Sequence, residues 1–337
     1  MISYNISKRE EIFYCMTTNN SINIGVDVGN YDTKTQHCVI VSGYKKYDEK
    51  PEISTKILAY NGEYYVPDLS ERMPYVADKT KNDQCLILTI FGIAEELLYV
   101  AKDAVKSSSK SNIQMALDTM KHIKLGVGLP PGHFNALSTK TLEYYKKKLQ
   151  PGTISFSYKN YNFSFVVDSI RLFPQDFVAV FKNAECSTAK KKRYYIVGIG
   201  GGTTDVVPVL DKHPDVNNCF SLELGTRVMY RQICADVQRQ YGEMLDESLV
   251  EDVLRGEETI LPDPIKNLIR EGAKQHFENI INGCIQQGVK LSLYPVVFYG
   301  GGALLLKDLI TNNDKMTDPE ILGDINANAK AYAACLN

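Results

Sequence analysis

Apolar residues occupy every second position of the segment Ile22–Val28, near the start of the chain. This period of two predicts a β-strand. Gly29 and Asn30, which are typical turn residues, come next, and Thr33–Val41 is predicted to be the returning strand. The pattern therefore predicts an opening β-hairpin whose tip is formed by residues 27–32.

The rest of the first half alternates between helix-like and strand-like patterns. Residues 42–84 are polar with only short strand-like pieces, so they are predicted to form a small inserted subdomain. After this insert, the apolar spacing predicts helices at about Leu86–Val105 and at Phe134–Leu149, and strands at His122–Leu129, Thr153–Tyr158 and Tyr161–Arg171. These elements complete one α/β unit.

The second half repeats the opening theme. Tyr194–Ile199 predicts an apolar strand, residues 200–205 form a glycine-rich tip, and Val206–Leu210 predicts the returning strand. A third glycine-rich tip, residues 300–302, lies between a predicted strand at Val296–Tyr299 and a predicted helix. Two similar hairpins in the two halves predict a duplicated α/β domain with a cleft between the copies.

Composition limits the classes of function. The 337 residues contain 38 Lys and Arg and 40 Asp and Glu, which gives a net charge of -2. A protein that coats DNA directly needs a clustered positive surface, so direct nucleic-acid binding is not expected. The basic runs at residues 146–148 and 190–193 are predicted to be solvated helix ends or loops.

Cysteine usage and the N-terminus bear on the compartment. The eight cysteines are scattered and include no CxxC pair, which predicts reduced thiols of a cytoplasmic protein without a zinc or redox motif. No stretch approaches the roughly 18 uninterrupted apolar residues of a membrane span, so no membrane association is expected. Residues 1–21 are polar where a signal peptide needs an apolar stretch. They are either an N-terminal extension or, if the natural start is Met16, partly untranslated.

The three glycine-rich tips carry the most suggestive chemistry. A phosphate chain must be approached by backbone N–H groups, and glycine permits this because it lacks a Cβ atom and adopts positive φ. One such turn alone is equally well explained as a structural hairpin, and close helix–strand packing is a serious alternative for the third. Three tips at strand ends, two of them beside an Asp and a Thr, favour a phosphate-binding site.

Charged side chains beside the tips extend this hypothesis. Asp27 ends the first strand, where its carboxylate would hold Mg2+ through water, and Lys34 would lean toward the phosphates as a point charge. Asp205 ends the second tip, with Thr203 and Thr204 as hydroxyl donors. Taken alone, each Asp is also explained by turn capping, and the lysine by a solvated strand position.

Together the tips resemble the nucleotide motifs of the superfamily that contains actin, DnaK-type chaperones and sugar kinases. Residues 24–34 resemble its first phosphate motif, residues 200–205 the second, and residues 299–303 the adenosine motif. The small residues of the terminal segment Ala327–Leu336 resemble its connecting helix. The sequence GVDVGN with the following TK, the GLP turn at residues 128–130 and the chain length are most similar to bacterial actins of the ParM/StbA type.

The resemblance implies an α/β, actin-like (ribonuclease H-like) fold with duplicated domains around a nucleotide cleft. Domain I would comprise residues 22–185, with the insert at about 42–84, and a returning C-terminal helix at 320–337. Domain II would comprise residues 186–319, with an upper subdomain at about 226–275.

The resemblance also implies a function. The protein would bind and hydrolyse ATP with Mg2+, and would segregate plasmid DNA as a filament. Its partners would be copies of itself and a DNA-binding adaptor of the ParR type. The alternative is a non-polymerising relative, either a small-molecule kinase, for which no motif with an Asp base is found, or a chaperone-type ATPase.

The implied site residues come from all of these motifs. Asp27, Asp205 and Gln175 would be catalytic, and Asp27 would also hold Mg2+ through water. The turn at 225–226 would face the phosphates, and Arg255 would lie near the ribose, although an ordinary amphipathic helix explains it too. The nucleotide-binding residues would be Gly29, Asn30, Tyr31, Lys34, Gly200, Gly201, Gly202, Thr203, Thr204, Gly225, Thr226, Arg255, Gly300, Gly301, Gly302 and Ala303.

Two positions depart from the family pattern. Gln175 follows the FP turn where ParM-like proteins usually carry Glu, so it would orient the attacking water without taking its proton. Asp176 is the alternative if the register differs by one. Gly198 ends the strand before the second tip, where the superfamily usually has Asp. Either the other two Asp residues suffice, or hydrolysis is slowed.

Overall fold

Both strands and helices occur along the described chain, which comprises residues 21–52, 54–74, 78–106, 108–183 and 185–337 of a computed structural model. The strands are β1 Ile22–Val28, β2 Asp32–Lys34, β3 Val39–Val41, β4 Gly43–Tyr47, β5 Leu58–Tyr60, β6 Glu63–Arg72, β7 His122–Leu129, β8 Thr153–Tyr158, β9 Tyr161–Pro174, β10 Arg193–Ile199, β11 Thr204–Leu210, β12 His213–Pro214, β13 Phe220–Leu222, β14 Val296–Tyr299 and β15 Pro319–Leu322. The helices are α1 Gln84–Val105, α2 Lys110–Thr119, α3 Pro131–Leu149, α4 Phe177–Lys182, α5 Thr226–Tyr241, α6 Glu247–Arg255, α7 Asp263–Gln286, α8 Gly301–Leu305, α9 Lys307–Thr311 and α10 Ala327–Ala334, with a short 3-10 helix at Thr188–Lys190.

These elements form two units. Unit 1 contains the described residues of Met1–Leu129 together with Ala136–Gln175 and Asn326–Asn337. Unit 2 contains Pro130–Asn135 and Asp176–Ile325. The predicted N-terminal extension and Met16 lie outside the described residues, apart from Ser21.

Unit 1 is built on a sheet of nine described strands in the order β3-β2-β1-β7-β9-β8-β5-β6-β4. The central strands β1, β7 and β9 run parallel, and the inner residues of β1 and β7 are buried, as expected for strands covered on both faces. Because parallel strands point the same way, the segments that follow β1, β7 and β9 begin at one edge of the sheet.

Helix α1 covers this sheet and supplies much of the core of unit 1. It packs against β1 and β2, and it is the one described helix that is long and apolar enough to cross a membrane. However, 78% of its most apolar window is buried inside the protein. Its apolar character is therefore explained by core packing.

The predicted elements of unit 1 are largely confirmed, with two differences. The predicted strand Thr33–Val41 is wrong as a single element, because the chain turns at residues 35–38 and forms β2 and β3 instead. The side chain of Gln36 explains this turn, since its amide bonds to Gly25 N and to Asn23 O of β1. Helix α2 was not predicted, because only three of its ten residues are buried and the apolar period is weak.

The polar insert contributes strands rather than a separate layer. Strands β4, β5 and β6 extend the large sheet through pairing of β5 with β8. The short strand-like pieces seen in the sequence correspond to β5 and β6. The insert therefore lengthens the sheet of unit 1.

Unit 2 contains a smaller sheet, in the order β12-β11-β10-β14-β15, with β13 paired to β11. Strands β10, β14 and β15 are parallel, whereas β10 and β11 form the predicted antiparallel hairpin. Helices α5, α6 and α7 pack on one another beyond this sheet. The parallel pairing brings the ends of β10 and β14 to one edge, and both strands end in a glycine-rich tip. The predicted mixed α/β architecture is confirmed.

Candidate functional site

Asp27 lies at the carboxyl end of β1 and is only 7% exposed. Gln175 Nε2 donates to Asp27 Oδ1 over 2.5 Å, and Asn328 Nδ2 donates to Oδ2 over 3.1 Å. The first donor follows β9 and the second belongs to α10, so three elements of unit 1 fix the carboxylate. Each oxygen keeps a lone pair for a further donor such as a water molecule. Two of the predicted catalytic residues are thus in direct contact.

Glycines permit the close packing that brings these side chains together. A Cβ atom at Gly25 would lie 2.8 Å from the carbonyl carbon of Ala329 in α10. One at Gly128 would lie 2.8 Å from Cγ of Gln175 and against the ring of Tyr332. Side chains at either glycine would therefore displace α10 or the glutamine. Asn328 was missed from the sequence, where it stands within a run of alanines.

The first glycine tip is a closed turn tied to the insert. Gly29 N–H donates to Asp32 O over 3.1 Å. Tyr31 O accepts from Arg72 Nη1 over 2.7 Å, and the guanidinium lies 3.4 Å from the centroid of the Tyr31 ring. In the described part of the chain, the N–H of Asn30 donates to no backbone acceptor. Contacts of Tyr31 with Arg72 therefore stabilise the turn, and the N–H of Asn30 is available to a ligand.

Two lysines lie at this tip, one predicted and one not. Lys34 is directly opposite Asp27 in the β1–β2 register, so both side chains lie on one face. Lys79 is only 6% exposed, and its Nζ donates to Val28 O over 2.9 Å and to Gly128 O over 3.4 Å. A positive charge is therefore buried at the ends of β1 and β7. No periodicity marked this lysine in the polar insert.

The second tip presents a row of amides. The carbonyls of Gly200, Gly201 and Gly202 accept, in that order, from the N–H groups of Thr226, Arg227 and Gly225 over 3.0, 3.0 and 3.3 Å. In a trans peptide the N–H points opposite the carbonyl. The N–H groups of Gly201, Gly202 and Thr203 therefore point away from α5, and within the described residues none has a hydrogen-bond acceptor.

Gly225 makes this arrangement possible. A Cβ atom there would lie 2.5 Å from the carbonyl carbon of Gly201, a backbone atom, so a side chain at this position would force the tip to shift. Thr204 adds a brace, because its buried hydroxyl donates to Leu224 O over 2.8 Å. The predicted phosphate-facing turn at 225–226 thus binds the carbonyl groups of the second tip.

Asp205 is buried beside the same tip. Its Oδ2 accepts from Thr203 Oγ1 over 3.2 Å, and its Oδ1 accepts from the hydroxyl of Ser221. The two hydroxyl groups are neutral hydrogen-bond donors, and they orient the carboxylate. The position after the glycine tip is therefore rigid.

The third tip packs on the second. Gly300 adopts φ +97, and a Cβ there would lie 2.6 Å from Ile199 O at the end of β10. A Cβ at Gly302 would lie 2.8 Å from Cγ2 of Thr226. By contrast, no described atom lies within 4 Å of a Cβ built on Gly301. Packing thus explains the outer two glycines, whereas the middle one borders open space. The following Ala303 is fully buried.

Arg255 ends helix α6, which packs against α8 and so lies near the third tip. Its Nη2 and Nε donate to Glu251 Oε1 over 2.6 and 3.0 Å. The guanidinium is half-exposed and keeps further N–H donors. Its placement is compatible with the predicted ribose contact and also with a solvated helix end.

Asp176, the alternative to Gln175, packs its side chain against β10. It begins unit 2 and is 7% exposed. A Cβ built on Gly198 would lie 2.7 Å from Asp176 Cγ. The consecutive residues therefore serve different units, the glutamine beside Asp27 and the aspartate beside β10.

Mg2+ is the metal that the resemblance to actin homologues implies, and the side chains fit it in one way only. Among the described residues, no group of three or more His, Cys, Asp or Glu could enclose a metal ion. Magnesium retains several waters and takes few protein ligands. The buried carboxylates of Asp27 and Asp205 therefore suit contact through water rather than direct coordination.

The chain is similar in sequence and fold to known actin homologues. A family model described as the C-terminal part of the archaeal actin homologue MreB-like matches residues 196–312, which include the second and third tips. A search of the curated proteins finds no match.

Solved structures of actin homologues superimpose on nearly the whole chain. The archaeal actin homologue Ta0583 shares 18% identity, covers 93% of this chain and 98% of its own, and has a TM-score of 0.68; it has also been solved in complex with ADP. The Clostridium botulinum ParM of a 15-stranded filament shares 18% identity over 94% and 99% of the chains, with a TM-score of 0.65. Bacillus thuringiensis ParM with ATP shares 13% identity over 94% and 98%, with a TM-score of 0.64. The chain therefore has the predicted actin-like fold and resembles actin homologues of the archaeal MreB-like and bacterial ParM types.

Proposed function

We propose that this protein binds ATP with Mg2+ through its glycine tips, hydrolyses it, and assembles with copies of itself into a filament. The observation that carries the proposal is the row of three N–H groups at Gly201, Gly202 and Thr203. Consecutive backbone amides without acceptors form a concave anion site, and a phosphate chain is the ligand that suits it.

The first tip adds further groups that suit a phosphate chain. Asn30 offers its N–H, and Lys34 adds a point charge on the face of Asp27. Lys79 adds a buried ammonium group at the ends of β1 and β7. Magnesium, when bound, neutralises phosphate charge. Asp27 and Asp205 would hold its waters by accepting hydrogen bonds from them. The third tip and Arg255 receive the nucleoside.

Gln175 positions the attacking water for hydrolysis. Its amide Nε2 is anchored on Asp27, which leaves the amide oxygen as an acceptor for a water proton. An amide is no general base, so the side chain orders the nucleophile and does not take its proton. Hydrolysis is therefore expected to be slow.

Assembly is proposed because structures of similar proteins are filaments. These include the ParM of Clostridium botulinum and Alp12. Plasmid segregation through a DNA-binding adaptor of the ParR type follows from the same likeness. The net charge of -2 supports an adaptor in place of direct DNA contact.

Light scattering and negative-stain electron microscopy test the assembly directly. The purified chain is mixed with ATP and Mg2+, with ADP and Mg2+, or with ATP and EDTA. Filaments should form with ATP and Mg2+, and Asp27→Ala should abolish them, whereas Gly323→Ala should not, because a Cβ there meets only Leu304 Cδ2 at 3.9 Å. A protein that stays monomeric in every mixture refutes the filament. Sugar-dependent release of ADP would favour a small-molecule kinase.

A further inference from the structure

Asp176 combines an unusual backbone conformation with a buried side chain. It adopts φ +63 and ψ −44, in a region that residues other than glycine rarely occupy. It stands at the N-cap of α4, where an Asp normally accepts from first-turn N–H groups, yet its side chain makes no cap hydrogen bond. The side chain is also buried rather than solvated. A strained residue of this kind is retained where its side chain has a use.

The carboxylate of Asp176 occupies the space that a side chain at position 198 would fill. Its Cγ lies 2.7 Å from the position of a Cβ built on Gly198, so any larger residue there would collide with it. Gly198 is directly opposite Asp205 in the β10–β11 pair. Side chains at opposite positions share a face, with Cβ atoms about 4.5–5.5 Å apart. The buried carboxylates of Asp176 and Asp205 therefore lie on one face of this hairpin.

This face belongs to the hairpin that carries the free amides. Gly198 precedes Gly200 by two residues, and Asp205 follows Thr203 by two. The related superfamily usually places an Asp at position 198, on the strand itself. In this chain the strand supplies space, and the loop before α4 supplies a carboxylate that fills it.

We propose that Asp176 replaces the missing strand aspartate and accepts a hydrogen bond from a water of the nucleotide-bound Mg2+. The proposal rests on the proposed function, since it assigns one further residue to that site. It also removes the apparent deficit at Gly198: the carboxylate is present but attached to a different part of the chain.

Four variants test this exchange, with the affinity for a fluorescent ATP analogue measured in excess Mg2+ and in EDTA. Asp176→Asn keeps the shape, and Asp176→Gly relieves the backbone strain while removing the carboxylate. The double variant Asp176→Gly with Gly198→Asp returns the carboxylate to the strand. Asp211→Asn is the control, because this exposed aspartate of unit 2 also has a left-handed φ of +49. Thermal unfolding without nucleotide confirms that each variant is folded.

The ratio of the two affinities is the readout. It should fall about tenfold or more in Asp176→Asn and Asp176→Gly, as for other groups that support a metal through water. It should recover in the double variant and stay unchanged in Asp211→Asn. An undiminished ratio in folded Asp176→Asn, or no recovery in a folded double variant, overturns the inference and leaves the proposed function intact. Failure of the wild-type chain to bind the analogue in either condition overturns both.

Discussion

Asp27 illustrates how single residues shape the candidate site. Its carboxylate is buried at the end of β1 and receives one amide from Gln175 and one from Asn328. Neutral donors orient a carboxylate without cancelling its charge, so this one is ready to hold water around a cation. The glutamine is held by the same contact and presents its oxygen in a fixed direction.

Replacement of Gln175 separates hydrolysis from binding. In Gln175→Ala the water loses its orienting acceptor, while the glycine tips and both lysines remain. We expect nucleotide-dependent assembly to persist and phosphate release to slow by about 10²-fold, at the lower end of the range for one positioned catalytic group. Single-turnover phosphate release measures this. Filaments that turn over at the wild-type rate in Gln175→Ala would refute the assigned role.

A methyl group at Gly225 should disturb the second tip. The Cβ in Gly225→Ala would lie 2.5 Å from the carbonyl carbon of Gly201, so the tip must shift and its amides lose their alignment. We expect the Kd for ATP to rise about tenfold or more, as for loss of preorganised donors. Fluorescence titration measures it, with Gly323→Ala as the matched control. Equal affinities in the two variants would show that the tip does not bind phosphate.

At this scale the sequence predicts residues whose type is itself the signal. The glycines and aspartates of the tips are recognisable because few other residues suit a turn that approaches a phosphate. Asn328 and Lys79 are not recognisable in this way. Each acquires its role only when α10 or the insert packs against β1, and that contact leaves no local pattern.

At the scale of elements, strands were predicted best where burial is continuous. The bounds of β1, β7 and β14 agree with the sequence pattern, because buried strands between glycine or proline turns have sharp limits. The predicted strand Thr33–Val41 failed because Gln36 bonds to the backbone of β1 and bends the chain. A side chain that competes with the ladder in this way has no periodic signature.

The contact between β1 and α10 gives a prediction about stability. In Gly25→Ala the Cβ would meet the backbone of Ala329 at 2.8 Å or less, so the helix must move away from the strand. Overpacking of this kind costs about 1–3 kcal/mol. Urea unfolding should show this loss in Gly25→Ala and a change within about 0.5 kcal/mol in Gly323→Ala. Equal stability of Gly25→Ala and the wild type would contradict the packing.

The segment before α1 gives a prediction about pH. Lys140 and Thr80 hydrogen-bond to Asp78 and lower its pKa to about 2. The folded pKa lies below the unfolded value of about 3.9, so this stabilisation is complete above about pH 4 and is lost as the pH falls toward 2. Lys140→Ala should therefore reduce stability at pH 7 by less than about 1 kcal/mol, because the lysine is exposed.

Chemical unfolding as a function of pH tests this. The deficit of Lys140→Ala against the wild type should be largest near neutral pH and should shrink as the pH falls below about 4. Lys147→Ala is the control, since this residue is exposed on the same helix. A deficit that does not depend on pH would contradict the assignment to Asp78.

For the whole molecule, the proposed function depends on nucleotide binding by the glycine tips. Each unit repeats the same device, a strand that ends in a glycine tip with an aspartate beside it. The repeat was predictable because duplication leaves the same motif twice in the sequence. Filament contacts were not predictable, since they are surface features without a required residue type.

Hydrogen exchange followed by mass spectrometry tests the central claim most directly. The amides of Gly201, Gly202 and Thr203 lack acceptors in the described chain, so peptides covering residues 198–206 should exchange fast without ligand and slowly with ATP and Mg2+. Peptides covering the first tip, residues 27–34, should be protected with the same midpoint in nucleotide concentration. Protection of neither tip, or protection of the two tips at different nucleotide concentrations, would contradict the proposed binding of ATP by the glycine tips.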